Sequence, residues 1–174
     1  MNIGVSVVGG LVGGTAMIAV LYMGIWMLPR QMKMNLLLLI GTMVAPVGTA
    51  AYAVGLMAHG MMSVAFGVVH GGLIEAVGVT SAGQGAAYGA LFGFGHALMV
   101  GVVLGMMPMI HPRLRSTQGR LVPALAGGVA ATDEELLDPP GFFGLNYPMP
   151  TVMGFFMLHV MFGVIVGAFY GASA

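Results

Sequence analysis

The sequence predicts an all-α membrane protein whose four transmembrane helices pack as one glycine-rich bundle. Of its 174 residues, 59% are hydrophobic and only 6% are charged, whereas soluble domains average about 25% charged residues. The apolar residues form continuous runs rather than an alternating pattern, which excludes a transmembrane β-barrel. Thirty glycines lie largely within these runs, and small residues let helices approach closely in lipid. Residues 1–174 are predicted to form a single integral membrane domain.

Charge and cysteine content exclude several classes of site and partner. Five basic and five acidic residues cancel, so nothing predicts binding to nucleic acid. Without cysteine there is no disulfide, thiolate ligand or thiol nucleophile. No nucleophile–base motif surrounds the few serines and threonines, so we do not expect an enzyme that acts alone. Membrane lipids and other integral membrane subunits are the predicted partners.

The first span is predicted over about residues 3–28. No basic residue precedes it and it is longer than a signal-peptide core, so we interpret it as an uncleaved helix. Gly9 with Gly13, and Gly10 with Gly14, form two overlapping pairs of small residues four apart. This spacing is typical of a helix face that packs against another helix.

Residues 35–78 are too long for one span of about 20 residues, and Pro46 divides them. Residues 36–45 make only about 15 Å of helix, so we expect a short re-entrant or interfacial helix there. A long span over about 47–77 would follow. The alternative is two short spans that turn near His59–Gly60, which gives five helices in all.

The third span is predicted over about 84–109 and the fourth over about 151–171. Small residues recur every four positions along both, as they do in the first span, and predict contacts with partner helices. The predicted contact residues are Gly9, Gly13, Gly85, Gly89, Gly93, Gly163 and Gly167.

The basic residues favour four helices over five. They follow the first and third spans, and an even number of crossings between the two groups places all of them in the cytoplasm, as the positive-inside rule requires. They are Arg30, Lys33, Arg113, Arg115 and Arg120. Both termini are then predicted to be extracytoplasmic.

Residues 110–150 form the one sizeable polar segment and are predicted to be a cytoplasmic loop. Its length exceeds the usual limit of about 15 residues, which predicts a functional or disordered segment. Near its end, Phe142, Phe143 and Tyr147 stand among prolines. We expect these aromatic residues to lie at the lipid headgroups or to contact a partner protein.

Three histidines are predicted to lie at one depth in the membrane. His59, His96 and His159 fall within about 5 Å of the centres of their spans, at 1.5 Å per residue. An ionisable side chain at this depth is costly and needs a reason. Three imidazoles from three helices could ligate haem b, a pigment, or a metal such as copper or zinc.

His70 is predicted to lie apart from this group. It is on nearly the same helical face as His59 but roughly 16 Å further along, and His96 and His159 are expected to sit too deep to share a ligand with it. Glu75 lies about 140° round the helix from His70, so we do not expect the two to pair. We expect Glu75 to reach the interface, the alternatives being a proton path or a partner contact.

Two further roles for the histidines stay open. They could be neutral imidazoles that hydrogen-bond to carbonyls or hydroxyls of neighbouring helices, or they could handle protons. No CxxCH, HExxH or His-x-His motif selects a cofactor. The 18 methionines offer thioether ligands for copper(I), yet methionine is also an ordinary filler of apolar cores.

The layout resembles bacterial four-helix membrane proteins of the YagU-like type. The similar pieces are the glycine-rich first helix ending in Met27-Leu28-Pro29 and the segments LMAHGMMSVAFG, YGALFGFGHALMVGVVLGMMPM and HVMFGVIVGAFYG. The resemblance implies the fold and a multi-pass location in the bacterial cytoplasmic (inner) membrane. It implies no activity and no functional residues.

The sequence therefore predicts a non-catalytic accessory subunit of a larger membrane complex, of the respiratory, photosynthetic or membrane-oxidase type. Glycine-lined helices would pack it into that complex. The alternative is a haem-, pigment- or copper-binding membrane subunit that uses its intramembrane histidines. The residues predicted for that site are His59, His70, His96 and His159.

Overall fold

Five α-helices account for most of the chain in this computed structural model, which describes residues 1–114 and 137–174. They are α1 (Ile3–Met27), α2 (Leu36–Gly41), α3 (Thr49–Ala76), α4 (Ala82–Met106) and α5 (Met149–Gly171). All but α2 are long and apolar enough to cross a membrane. The predicted all-α fold with four spans is confirmed, and each long helix begins and ends within three residues of its predicted bounds.

The long helix α3 decides between the two predicted helix counts. It runs without interruption through His59 and Gly60, so the five-span alternative with a turn at that point is wrong. Pro46 and Gly48 separate α3 from α2 instead. Gly48 has a φ of +143°, a conformation that glycine adopts without the steric penalty of a Cβ.

The short helix predicted over 36–45 is present as α2, although it ends earlier than predicted. Gly41 packs against the backbone of Ala51, and Gly55 packs against the backbone of Leu37. These two pairs run in opposite chain directions, so α2 lies antiparallel to the first turns of α3. Such a helix folds back into the bundle rather than lying across its end.

The helix α5 is central to the bundle. It packs most extensively against α4 and, on another side, against α1, while α1 in turn packs against α3. By contrast, α3 and α4 touch each other only sparsely. The bundle is therefore tight around α5 and loose between α3 and α4.

The contact between α4 and α5 is made backbone to backbone. A Cβ added to Gly85 would collide with the carbonyl oxygen of Gly167, and one added to Gly89 would collide with that of Gly163. A Cβ added to Gly167 or Gly163 would likewise collide with the carbonyl oxygen of Gly85 or Gly89. Gly93 packs on the carbonyl of His159. Only glycine permits this approach.

The first helix uses its two glycine pairs on two different neighbours. Gly9 and Gly13 face α5, where a Cβ at Gly13 would lie 2.9 Å from the ring of Phe162. Gly10 and Gly14 face α3 instead. The glycines predicted as contacts for partner helices thus lie at interfaces within the chain, and they are not offered to a partner.

The order of the helices places the described basic residues at one end of the bundle. Arg30 and Lys33 follow α1, Arg113 follows α4, and both helices end on the same side. We call this the basic end, and Glu75 lies at the opposite end. Arg115 and Arg120 lie outside the described residues, as do the acidic residues Asp133, Glu134 and Glu135 of the same loop.

Replacing Gly89 by alanine should destabilise the protein, because the added methyl group meets the backbone of α5. We expect the free energy of unfolding to fall by about 2 kcal/mol, as is usual for overpacked sites. Thermal unfolding in detergent measures the change. The matched control is Gly95→Ala in the same helix, where a Cβ meets nothing within 4 Å. Equal stability of the two variants would contradict the backbone-to-backbone contact.

Candidate functional site: a histidine-lined cavity

A cavity of about 110 Å³ lies between the four long helices. Most of its wall is apolar, but His59 from α3, His96 from α4 and His159 from α5 all line it. The structure therefore brings the three histidines predicted to share one depth to a common space. We call this space the histidine cavity.

The fourth intramembrane histidine lies closer to this group than predicted. The ring centroid of His70 is 5.3 Å from that of His96, which is itself 5.0 Å from that of His159. The expectation that His70 is separated from the deeper histidines is therefore wrong. His96 thus contacts the rings of both His70 and His159, while His59 lines the same cavity.

The direction of the side chains explains this difference in depth. Side chains on an α-helix lean towards the N-terminus of their own helix. Since α3 and α4 are antiparallel, His70 leans deeper into the bundle while His96 leans the opposite way. The two rings meet although their Cα positions are offset along the helices.

Three of the four imidazoles have one nitrogen committed to a backbone carbonyl. The Nε2 of His59 donates to the carbonyl of Gly14 in α1, at 3.2 Å. His70 and His159 each donate from Nδ1 to the carbonyl four residues earlier in their own helix, at 2.9 and 2.7 Å. A carbonyl only accepts, so these nitrogens carry the protons. Each ring is left with one bare nitrogen that can accept.

His96 is different, because it makes no hydrogen bond to any of the described residues. Its ring stacks on Phe66 with centroids 3.9 Å apart. Its Nδ1 and the Nε2 of His70 are both buried without a partner, which is uncommon for buried polar atoms and calls for an explanation. The carbonyl-bonded role predicted as one alternative thus holds for three of the histidines but not for His96.

The size of the histidine cavity bears on the predicted cofactors. Pockets for drug-sized ligands and cofactors usually have volumes of about 300 Å³ or more, which exceeds the volume here. As the helices are arranged here, the cavity has the size of an ion or a single small ring, and its walls would have to move apart for a haem or a pigment. In residues 1–114 and 137–174, no group of three or more histidine or carboxylate side chains is placed to hold a metal ion.

A fifth histidine, which the sequence did not single out, joins two segments at the basic end. His111 is fully buried, and its Nε2 donates to the carbonyl of Leu39 in α2 at 2.8 Å. Its Nδ1 accepts from the backbone N–H of Arg113 at 3.1 Å, and the Arg113 guanidinium donates to the carbonyl of Thr42. Burial lowers the pKa of His111. The flanking Pro108 and Pro112 were the only local signal of this site.

The predicted aromatic segment also packs within the chain. The rings of Phe142 and Phe143 cover Gly105 and Gly101 of α4, where a Cβ would collide with them. The Tyr147 hydroxyl donates to the backbone carbonyl of Asp138 at 2.8 Å, and burial raises its pKa to about 12. Phe142 is still 52% exposed, so part of the segment faces outward.

Glu75 contacts a residue that the sequence did not suggest. The hydroxyl of Tyr170, near the end of α5, donates to its carboxylate. The Glu75 side chain is 53% exposed, as expected for a residue that reaches the edge of the bundle. No spacing along the chain signals a contact between positions this far apart.

Comparison with known proteins adds no functional assignment. No protein-family model, no curated protein and no solved structure matches the chain. The resemblance to YagU-like proteins stays a prediction.

Stability should fall in acid partly because His111 is held neutral. Its folded-state pKa lies below the usual unfolded value of about 6.5, so its contribution is complete above that pH and is lost as the pH falls below it. Gln at this position keeps an N–H donor for Leu39 but does not titrate. Unfolding of the wild type and His111→Gln, measured in detergent from pH 7.5 to 5, should show the variant losing less stability. Parallel curves would contradict this role.

Proposed function

We propose that this protein is a non-catalytic accessory subunit of a larger membrane complex. The observation that carries the proposal is a pair of outward-facing glycines in the middle of two spans. A Cβ on Gly60 of α3 or Gly95 of α4 would meet nothing within 4 Å. Leu91 and Met99, one turn either side of Gly95, are 62% and 47% exposed. Small residues between large ones form a notch that a partner helix can enter.

The aromatic segment at the basic end supports the same proposal. Phe142, Leu145 and Met149 are each more than half exposed, although Phe142 is anchored on α4 through its contact with Gly105. Apolar side chains held on a fixed backbone suit contact with another subunit at the membrane surface. Respiratory, photosynthetic and membrane-oxidase complexes are the classes proposed.

Mild detergent should extract the protein in an assembly far larger than its own 17.8 kDa. Gly95→Phe should reduce the assembly to a single chain, because the ring fills the notch without an internal clash. Gly83→Phe is the matched control, since a Cβ there also meets nothing within 4 Å but lies near the end of the span. Native electrophoresis of all three measures the sizes. A wild type that runs as a lone chain, or an intact Gly95→Phe assembly, would refute the proposal.

We further propose that the membrane is the bacterial cytoplasmic membrane and that the basic end faces the cytoplasm. The positive-inside rule supports this orientation, because Arg30, Lys33 and Arg113 lie at that end. Both described termini would then be extracytoplasmic.

Single cysteines can test this orientation, because the chain has none of its own. In intact cells, a membrane-impermeant maleimide should label Ala82→Cys, which is exposed opposite the basic end, and should not label Gln31→Cys. Permeabilising the cells should make both react. Labelling of Gln31→Cys alone in intact cells would reverse the orientation.

The alternative is a subunit that binds haem, a pigment or copper at the histidine cavity. Copper(I), which accepts few ligands and binds imidazole and thioether groups, is small enough for the cavity. It would bind through the bare nitrogens of the cavity histidines.

A further inference from the structure

The polar groups around the histidine cavity are nearly all used as donors already. Ser63 donates its hydroxyl to the carbonyl of His59 at 2.7 Å, and Thr151 donates to the carbonyl of Gln31 at 2.6 Å. The N–H groups of His59 and His159 are likewise committed to carbonyls. What the cavity wall retains is acceptors, chiefly bare imidazole nitrogens. A ligand that complements this wall must bring a donor.

The remaining imidazole N–H belongs to His96. Contact with His70 can decide which of the two His96 nitrogens carries the proton. The unpartnered Nδ1 of His96 and the unpartnered Nε2 of His70 belong to rings 5.3 Å apart. His70 has its proton on Nδ1, so its Nε2 can only accept. If His96 turns its Nδ1–H towards that nitrogen, its own Nε2 becomes a bare acceptor at the cavity, in addition to those of His59 and His159.

Charge decides which class of donor suits this site. A cation in an apolar cavity needs a nearby opposite charge to offset its loss of hydration. Among the described residues no carboxylate lines the histidine cavity, and Glu75 lies at the far end of the bundle, bonded to Tyr170. A neutral hydroxyl satisfies the same nitrogen lone pairs without burying a charge. A neutral donor is therefore favoured over a metal ion.

Shape and polarity decide what carries the hydroxyl. Water binds where two to four polar partners converge, whereas an apolar cavity of about 150 Å³ takes up benzene. The histidine cavity is similar in size and is walled mainly by apolar side chains, among them Phe66, Phe155 and Phe162. An aromatic ring fits this wall better than water alone does.

We propose that the histidine cavity binds a small, neutral, lipid-soluble aromatic molecule of the phenol or hydroquinone class. Its ring packs among the phenylalanines, and its hydroxyl donates to the bare nitrogen of His159 or His96. The sparse contact between α3 and α4 gives the ligand a route in from the lipid. This inference is independent of the accessory role proposed above.

The matched probes for this site are 4-fluorophenol and 4-fluoroanisole, which differ in the hydroxyl donor. Fluorine NMR of the protein in detergent should show both binding, with the phenol tighter by about fivefold, the usual effect of one hydrogen bond. Val100→Phe, which fills the cavity from α4, should abolish binding of both. Because the cavity of this variant is filled, any remaining signal measures how much of each probe partitions into the detergent micelle.

Replacing the acceptor histidines should remove the preference for the phenol over the anisole, while the cavity still binds the aromatic ring. His159→Phe and His96→Phe should each bind fluoroanisole as the wild type does, and together they should bring the phenol preference to about one. Retained fluoroanisole binding shows that each variant is folded; if one fails this check, the other carries the test. His70→Phe should weaken the preference only through His96, so it should have no effect in the His96→Phe background.

Three outcomes would overturn the proposal. Equal affinity for the two probes in the wild type would mean that the nitrogens do not accept from a ligand. A phenol preference that survives loss of both His96 and His159 would overturn the assignment of their nitrogens as the acceptors. Tight, saturable binding of silver(I), used as a stable stand-in for copper(I), together with no fluorophenol binding, would replace the aromatic ligand by the metal alternative.

Discussion

The backbone contact between α4 and α5 is the constraint on which the rest of this bundle depends. Lipid tails are as apolar as leucine, so helices in a membrane are held together by close van der Waals contact rather than by the hydrophobic effect. Gly85 and Gly89 remove every side chain from one face of α4, and Gly163 and Gly167 do the same on α5. The two backbones therefore touch between residues 85–93 of α4 and 159–167 of α5.

That contact makes α5 the central helix and leaves its large side chains to pack on its other faces. With one face of α5 filled by α4 and another by Gly9 and Gly13 of α1, the large side chains of α5 point into the remaining space. Phe162 is almost fully buried there and meets the rings of His70 and His96 edge-on. The aromatic and imidazole rings keep α3 and α4 apart, and the histidine cavity lies within the space they enclose.

Different hydrogen bonds stabilise the two ends of the bundle. At the basic end, α2 folds back beside α3, and its last carbonyls are taken up by His111 and Arg113. A cation near a helix C-terminus also interacts favourably with the helix dipole. At the opposite end, Tyr170 joins α5 to Glu75 of α3. His111 and Arg113 thus link the chain after α4 to α2, and Tyr170 links α5 to α3 at the other end of the bundle.

Much of this architecture is readable from the sequence because its signals are local. Long apolar runs specify four spans, Pro46 specifies the break before α3, and glycines four apart specify faces of close approach. These properties depend only on the periodicity of a helix and on the apolar solvent around it. The same locality explains why three histidines could be placed at one depth without a structure.

The partners of each face were decided only by the tertiary structure. Glycine spacing marks a packing face but does not say whether the opposing helix comes from the same chain, and here it does. Depth along a helix axis places His70 away from His96, yet the opposite lean of side chains on antiparallel helices brings their rings together. The contacts of His111 with α2 and of Glu75 with Tyr170 join distant positions. Such contacts arise from how helices are arranged in three dimensions, which no local pattern encodes.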